Sequence, residues 1–309
     1  MQKPPLVVVG SSNTDMVVVS QRIPQPGETI TGGRFVMAAG GKGANQAVAA
    51  ARLGAQVAFI ARVGADLFGQ QALEGYRREG IDTQFVLRDP DQHTGVALIL
   101  VDQHGENSIS VASGANAALT PADVDQAADR IRAARALLLQ LETPLPTVCR
   151  AAAIAAQAGV SVILDPAPAP DQPLPPELLS CVDFLTPNET EAQHLTGLAV
   201  HDEPSARSAA DCLLRMGPKH VLITLGAKGA LLAGPVGMHM IPAFKIQARD
   251  TTAAGDAFNG GLGAALAEGL PVTEAIRVAA AAGALAASRM GAQPSLPTRV
   301  ELEDFLRQH

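Results

Sequence analysis

The run Arg249-Asp250-Thr251-Thr252-Ala253-Ala254-Gly255-Asp256-Ala257-Phe258-Asn259-Gly260-Gly261 carries more structural information than any other part of the chain. An apolar segment with a β-like pattern, Met238 to Ile246, enters it. A run of small, helix-compatible residues, Ala257 to Glu268, leaves it. A strand-to-helix turn leaves backbone N–H groups free at the start of the helix, and the helix dipole adds positive potential there. Such a turn is an anion site, and phosphate is its usual occupant. Asp256 stands out, because a carboxylate repels an anion. Either it caps the helix, with Gly255 shaping the turn, or it takes a proton from an attacking hydroxyl.

Upstream, strand-like and helix-like segments alternate. Leu6 to Gly10, Gln56 to Ala61, Ala136 to Leu141, Val160 to Leu164, Val182 to Leu185 and Val221 to Thr224 are short apolar runs of buried-strand type. Helices are expected from the opening stretch Ala38 to Gln46 as far as about Leu53, from Thr120 (N-cap, with Pro121 first) and over Thr143 to Ala158. Two more are expected after Asn188 and over about Glu203 to Met216. This rhythm implies an α/β fold, a mostly parallel sheet with helices on both faces. Asn13, Glu142, Asp165, Asn188, Thr224 and Asp250 are expected at strand C-terminal ends, the edge where open α/β sheets bind ligands. Residues 12–39 and 90–114 break the rhythm with short strands, Met16 to Ser20 and Glu28 to Thr31 among them. The simplest reading is one domain, 1–309, carrying a small β-sheet flap.

The composition excludes several classes. With 47% hydrophobic and 17% charged residues, the chain can bury a large core. A formal net charge of −7 argues against a broad nucleic-acid footprint. The chain has no tryptophan and one tyrosine, Tyr76, so it has no aromatic platform for stacking bases. No apolar run reaches membrane-span length, and Met1 to Pro5 leads into the first strand with no signal pattern. Cys149, Cys181 and Cys212 lack metal or redox spacing and read as reduced core thiols of a cytoplasmic protein.

Other stretches carry chemistry, each with a plainer alternative. Gly40-Gly41-Lys42-Gly43-Ala44-Asn45 is a glycine-rich helix entry whose backbone approaches a polar ligand closely, or an ordinary loop. Asn13 and Asp15 can hold vicinal hydroxyls or form an Asx turn. Asn188 and Glu191 share a helix face, suited to hydrated Mg²⁺ or to a capping box. Thr224-Leu225-Gly226-Ala227-Lys228-Gly229 can grip a nucleotide phosphate or simply turn. Arg289 to Ser295 ends an alanine-rich helix, with Gly291 as a C-cap. Neither the Walker nor the dinucleotide fingerprint is present.

Asp250 to Gly260 resembles the C-terminal signature of the ribokinase-like carbohydrate kinases. Gly40 to Ala47, with Gly54 and Gly64 beyond, resembles their N-terminal signature. Gly10 to Asp15, Gly114 to Leu119, Gln140-Leu141-Glu142 and Thr186 to Glu191 extend the likeness over essentially the whole chain. The resemblance implies ATP-dependent phosphorylation of D-ribose at its 5-hydroxyl. It implies Asp256 as general base and the amides of Ala253, Ala254, Gly255 and Asp256 as an anion hole. Asn13, Thr14, Asp15, Gly41, Lys42, Gly43, Ala44, Asn45 and Glu142 would hold the sugar. Asn188, Thr224 to Gly229, Gly255 and Ala280 would hold ATP, and Glu191 would place Mg²⁺ through water. Asp250, Thr252, Ala286, Arg289, Gly291 and Ser295 would hold K⁺. The flap would be a lid that also pairs two copies into a homodimer. The chain departs from the usual pattern at Asp165, where Asn is more common, and at Ala280, where a polar residue is often found. Related acceptors such as 2-deoxyribose, fructose or a nucleoside, and a catalytically inactive sugar-binding regulator, are the alternatives.

Overall fold

Leu6-Val7-Val8-Val9 is apolar throughout because it is covered on both sides. A computed structural model describes residues 4–309; the N-terminal reading at Met1 to Lys3 lies outside the described residues. In chain order, β1 (Pro5–Val9), β2 (Asn13–Val19) and β3 (Arg34–Gly40) precede helix α1 (Lys42–Arg52). Then come β4 (Gln56–Gly64), α2 (Leu67–Arg78), β5 (Asp82–Asp89), β6 (Gly95–Val101) and β7 (Asn107–Ala112). The βα alternation continues with α3 (Pro121–Gln126), α4 (Ala128–Arg132), β8 (Ala136–Leu139), α5 (Leu145–Gln157) and β9 (Ser161–Leu164). It proceeds through α6 (Pro176–Leu179), β10 (Phe184–Leu185), α7 (Glu189–Thr196), α8 (Glu203–Arg215) and β11 (His220–Thr224). A hairpin of β12 (Ala230–Gly234) and β13 (Gly237–Ile241) leads to α9 (Ala254–Glu268), α10 (Val272–Ala287) and α11 (Arg299–Gln308).

The nine-stranded sheet has the order β13-β12-β11-β10-β9-β8-β1-β4-β5. Its pairings are parallel except for the β11–β12 and β12–β13 edge. Period-two alternation divides its side chains between two cores. Leu6, Val8, Ala136 and Leu138 face the core built with α1, α9 and α10. Val7, Val9, Leu137 and Leu139 face the core built with α3 to α8. From β1 the chain steps outward to β4 and β5, then returns to β8 on the other side of β1. The order therefore reverses between β1 and β8, and a crevice opens beyond their C-terminal ends.

The flap is a separate four-stranded sheet, β3-β2-β6-β7. The β2–β6 pairing is parallel and the other two are antiparallel.

Three local expectations fail. Asn13 to Asp15 begin β2 instead of forming a turn. Glu28 to Thr31 is not a strand: Pro24 and Pro26 remove ladder donors, and the Arg22–Glu28 ion pair closes the loop instead. The strand before the opening signature stops at Ile241, followed by Pro242, so an irregular path and not a strand enters α9. Ala230–Gly234 escaped the sequence reading because glycines flank a run only four apolar residues long.

Candidate functional site

The end of β1 and the start of α1 meet backbone to backbone. Gly41 has φ 89°, a left-handed value that favours glycine. A Cβ on Gly43 would lie 2.5 Å from the Ser11 amide nitrogen and 2.7 Å from Gly10 Cα. The contact is fastened by the Ala44 amide donating to the Ser11 carbonyl at 2.8 Å and the Gly43 amide to Ser11 Oγ at 3.2 Å. From the end of β8, Glu142 accepts from the Lys42 amide at 2.9 Å and from Ser11 Oγ. Both ends of the flap sheet are thus rooted here: β2 starts at Asn13 and β3 ends at Gly40.

Asp256 lies in the first turn of α9 and is only 5% exposed. Its Oδ2 accepts from Asn45 Nδ2 at 2.8 Å and its Oδ1 from Gln46 Nε2 at 3.3 Å. Burial pushes its pKa from 3.8 to about 6, against Lys42 and these hydrogen bonds, with Glu142 adding to the rise. Asp15 is pushed to about 6 by burial and then by Glu142 and Asp256. Burial disfavours the Lys42 ammonium, but Asp165, Asp256, Glu142 and Glu191 outweigh it and raise its pKa. One cation therefore sits among several acids. Asn45 Oδ1 is buried without a protein partner, an acceptor next to the Asp256 carboxylate. Asn13 Oδ1 accepts from Asn116 Nδ2 at 2.7 Å.

The amides at the start of α9 divide unequally. Ala254 donates to the Thr251 carbonyl at 3.1 Å, so it is not free for an anion. Ala253, Gly255 and Asp256 donate to no backbone carbonyl among the described residues. The Gly255 carbonyl is held by Asn259 Nδ2 at 3.1 Å, and Asn259 Oδ1 accepts from Thr186 Oγ1 at 2.7 Å.

Asn188 and Glu191 form the capping box of α7, each side chain accepting the other's amide at 2.8 Å. That uses Glu191 Oε2 and leaves Oε1 outside the box. Burial raises the Glu191 pKa, partly offset by Asn188 and Lys42. Asn188 bridges to Thr224, so the ends of β10 and β11 are adjacent. Lys228 turns away to the His201 carbonyl at 2.8 Å and Glu189 at 3.3 Å.

Asp250 ties two loops. Its Oδ2 accepts from the Gly291 amide at 2.8 Å, and its Oδ1 accepts from the amide and hydroxyl of Thr252. These bonds outweigh burial and lower its pKa. The Arg289 guanidinium pairs with Glu301 at 2.8 Å, so only its backbone faces this junction.

The structure brings Asp15, Lys42, Asn45, Glu142 and Asp256 close together. Ala44 and Leu225 are withdrawn into the cores, and Ala280 packs half-buried against the α9–α10 core. Sequence reading missed roles for Ser11, Gln46, Asn116, Gln140, Thr186 and Asn259. Each lies inside a quoted motif, but its partner is distant in sequence. The three cysteines are free and only half-buried. Among the described residues no helix is long and apolar enough to cross a membrane.

Residues 3–299 match the model of the pfkB family carbohydrate kinases. The chain is 50% identical to a ribokinase of Haemophilus influenzae, over 97% of this chain and 98% of that one. It is 36% identical to a deoxyribokinase of Salmonella typhimurium, again over 97% and 98%. An Arabidopsis thaliana ribokinase solved with ribose and ATP superposes with a TM-score of 0.92 at 37% identity, covering 99% of each chain. With its fold, its crevice at the β1–β8 reversal and these matches, the chain belongs to the pfkB family of carbohydrate kinases.

Proposed function

We propose that the protein transfers the γ-phosphoryl group of ATP to the 5-hydroxyl of D-ribose, giving ribose 5-phosphate and ADP. One observation carries this reading: buried Asp256 lies in the first turn of α9, where the Gly255 and Asp256 amides have no backbone partner among the described residues, and it neighbours Lys42, Asn45, Asp15 and Glu142. The relatives named for ribose and ATP support it. Asp256 takes the hydroxyl proton as the sugar oxygen attacks. The amides of Ala253, Gly255 and Asp256, with Lys42, offset charge on the transferring group. Asn13, Thr14, Asp15, Asn45 and Glu142 orient the sugar. Asn188 and the Thr224 to Gly229 turn hold the nucleotide.

Metal fit follows from donor chemistry. The free Oε1 of Glu191 suits a hydrated Mg²⁺, which supplies charge neutralisation on the phosphates. The oxygens of Asp250 and Thr252, with carbonyls of the 286–295 loop, are a donor set with one carboxylate, which fits K⁺. A cytoplasmic location belongs to the same reading.

ADP release should be measured across D-ribose, 2-deoxyribose, fructose and adenosine, with and without K⁺. Ribose is expected to give the highest kcat/KM, with stimulation by K⁺. Ribose binding without ADP release would replace the enzyme by an inactive sugar binder. The pH profile follows from Asp256: kcat should fall about tenfold per unit below about pH 6, as the carboxylate protonates.

The flap is proposed as a lid and a dimer face. Register puts Asp15, Val17, Val36, Ala97, Ile99, Ile109 and Val111 on one face, and Met16, Val18, Phe35, Met37, Leu98 and Leu100 on the other. The flap leaves apolar side chains open on both faces, with Ile109 55% and Val111 49% exposed on the first and Phe35 59% and Leu98 54% on the second. A second copy of this chain is its proposed cover. Phe35→Glu should convert a dimer into a monomer in sedimentation experiments.

A further inference from the structure

We propose that Gln46 is a positioning residue for the base, its carboxamide turned by Gln140 so that it ties Asp256 to a second buried carboxylate, Asp165. This rests on Asp256 being the base. Gln46 and Gln140 are both fully buried, on α1 and just after β8. Gln140 Nε2 donates to Gln46 Oε1 at 2.6 Å. That bond and the ionised Asp256, which only accepts, together fix which end of the Gln46 amide is nitrogen, while Gln140 Oε1 is itself buried without a partner. Its two hydrogens then point at carboxylates, Asp165 Oδ2 at 2.8 Å and Asp256 Oδ1 at 3.3 Å. Asn45, the preceding residue of α1, takes the other Asp256 oxygen. Consecutive helix residues therefore pin both oxygens, which sets the plane of the carboxylate against the crevice.

The partner carboxylate matters for charge. The groups around Asp256 are Lys42, Asp15, Glu142 and Asp165, with Glu191 next to Lys42 and Asp165, so that one cation sits among five carboxyl groups when Asp256 is counted. Asp165 and Asp256 share one donor nitrogen, so they cannot both ionise cheaply. Asp256 receives two donors and Asp165 receives only Gln46. The arrangement therefore places the charge on Asp256 and the proton on Asp165. Burial, with Glu191 and Asp256, raises the Asp165 pKa well above the ordinary range, although Lys42 and Gln46 oppose it. A neutral Asp165 still accepts through its carbonyl oxygen. It orients Gln46 without repelling the base.

The test is steady-state kinetics with ATP and ribose from about pH 5 to about pH 9, on Gln46→Met, Gln140→Met and Asp165→Asn. Gln46→Met should lower kcat about tenfold, leave the sugar KM within about twofold and move the acid limb up by about one unit. Gln140→Met should act in the same direction but less, because Gln46 Oε1 loses its donor while Asp256 and Asp165 still hold the nitrogen end. Asp165→Asn should keep the acid limb in place, since the carboxamide oxygen accepts the same bond and a neutral Asp165 carries no charge to lose. A Gln46→Met enzyme that only melts earlier, with kcat and limb unchanged, would overturn the proposal. So would a downward shift of the limb in Asp165→Asn, because it would mean that Asp165 is ionised. If Gln46→Met does not fold, the other two variants decide. Asp256→Asn separates the two levels. Retained turnover there sinks the base itself, whereas its loss beside an unaffected Gln46→Met sinks only the role of Gln46.

Discussion

Asp256→Asn is expected to lose ~10²–10⁴-fold in kcat while melting a few degrees higher than the parent at neutral pH. The rate loss follows from removing the proton acceptor while keeping the shape. The stability gain follows from linkage. The native state raises the Asp256 pKa from 3.8 to about 6, so it binds the proton more tightly than the unfolded chain. The contribution of this group is full below about 3.8 and is lost as pH rises through about 6. Two units correspond to about 3 kcal/mol, reduced because a carboxamide has one acceptor oxygen, so that its NH₂ faces the donor of either Asn45 or Gln46. Asn mimics the protonated form at every pH. The difference in melting temperature should therefore vanish near pH 4 and reach a plateau above about pH 7. Calorimetry across pH and single-turnover kinetics check the two halves separately. A variant with near-normal turnover would remove Asp256 from the chemistry.

Gly43→Ala should be the most damaging methyl that can be added near the crevice. The new Cβ meets three backbone atoms, the Ser11 amide nitrogen, Gly10 C and Gly10 Cα, at 2.5–2.7 Å. Backbone cannot rotate away as a side-chain tip can. Helix α1 must move off β1, stretching the Ala44 to Ser11 and Lys42 to Glu142 bonds. Overpacking of this kind costs about 1–3 kcal/mol. The same shift carries Lys42, Asn45 and Gln46 with it, and misplacement by about 1 Å costs on the order of 10² in rate. Urea unfolding and the ribose kcat/KM measure both effects. Gly75→Ala is the control, because no atom lies within 4 Å of its Cβ. That helical site should gain about 0.5–1 kcal/mol. Equal damage at both positions would remove the steric account.

Much of the frame was legible without coordinates. The apolar runs at Leu6, Ala136, Val160 and Val221 became central strands because burial on both faces needs no alternation. Thr120 and Asn188 cap helices where their side chains and the third following residue permit a reciprocal bond. The flap was visible as short strands that break the βα rhythm. Glu28 to Thr31 and the Pro242 to Ile246 part of the Met238 to Ile246 reading misled, since two-residue alternation persists in loops that proline keeps out of a ladder.

The site divides along the same line. The sequence by itself determined that a glycine-rich stretch opens one helix and that the turn through Asp256 opens another, the candidate base Asp256 and the polar tips around it, because turns and helix starts depend on near neighbours; the structure starts α9 at Ala254, three residues before the expected Ala257. Only the tertiary structure decided that Asn45 and Gln46 grip a carboxylate more than two hundred residues away. It also decided that Ala254 spends its amide on Thr251, that Lys42 is one cation among several acids, and that Asp256 titrates near pH 6. Those outcomes depend on desolvation and on charges brought together by the order of the sheet, which no local pattern encodes.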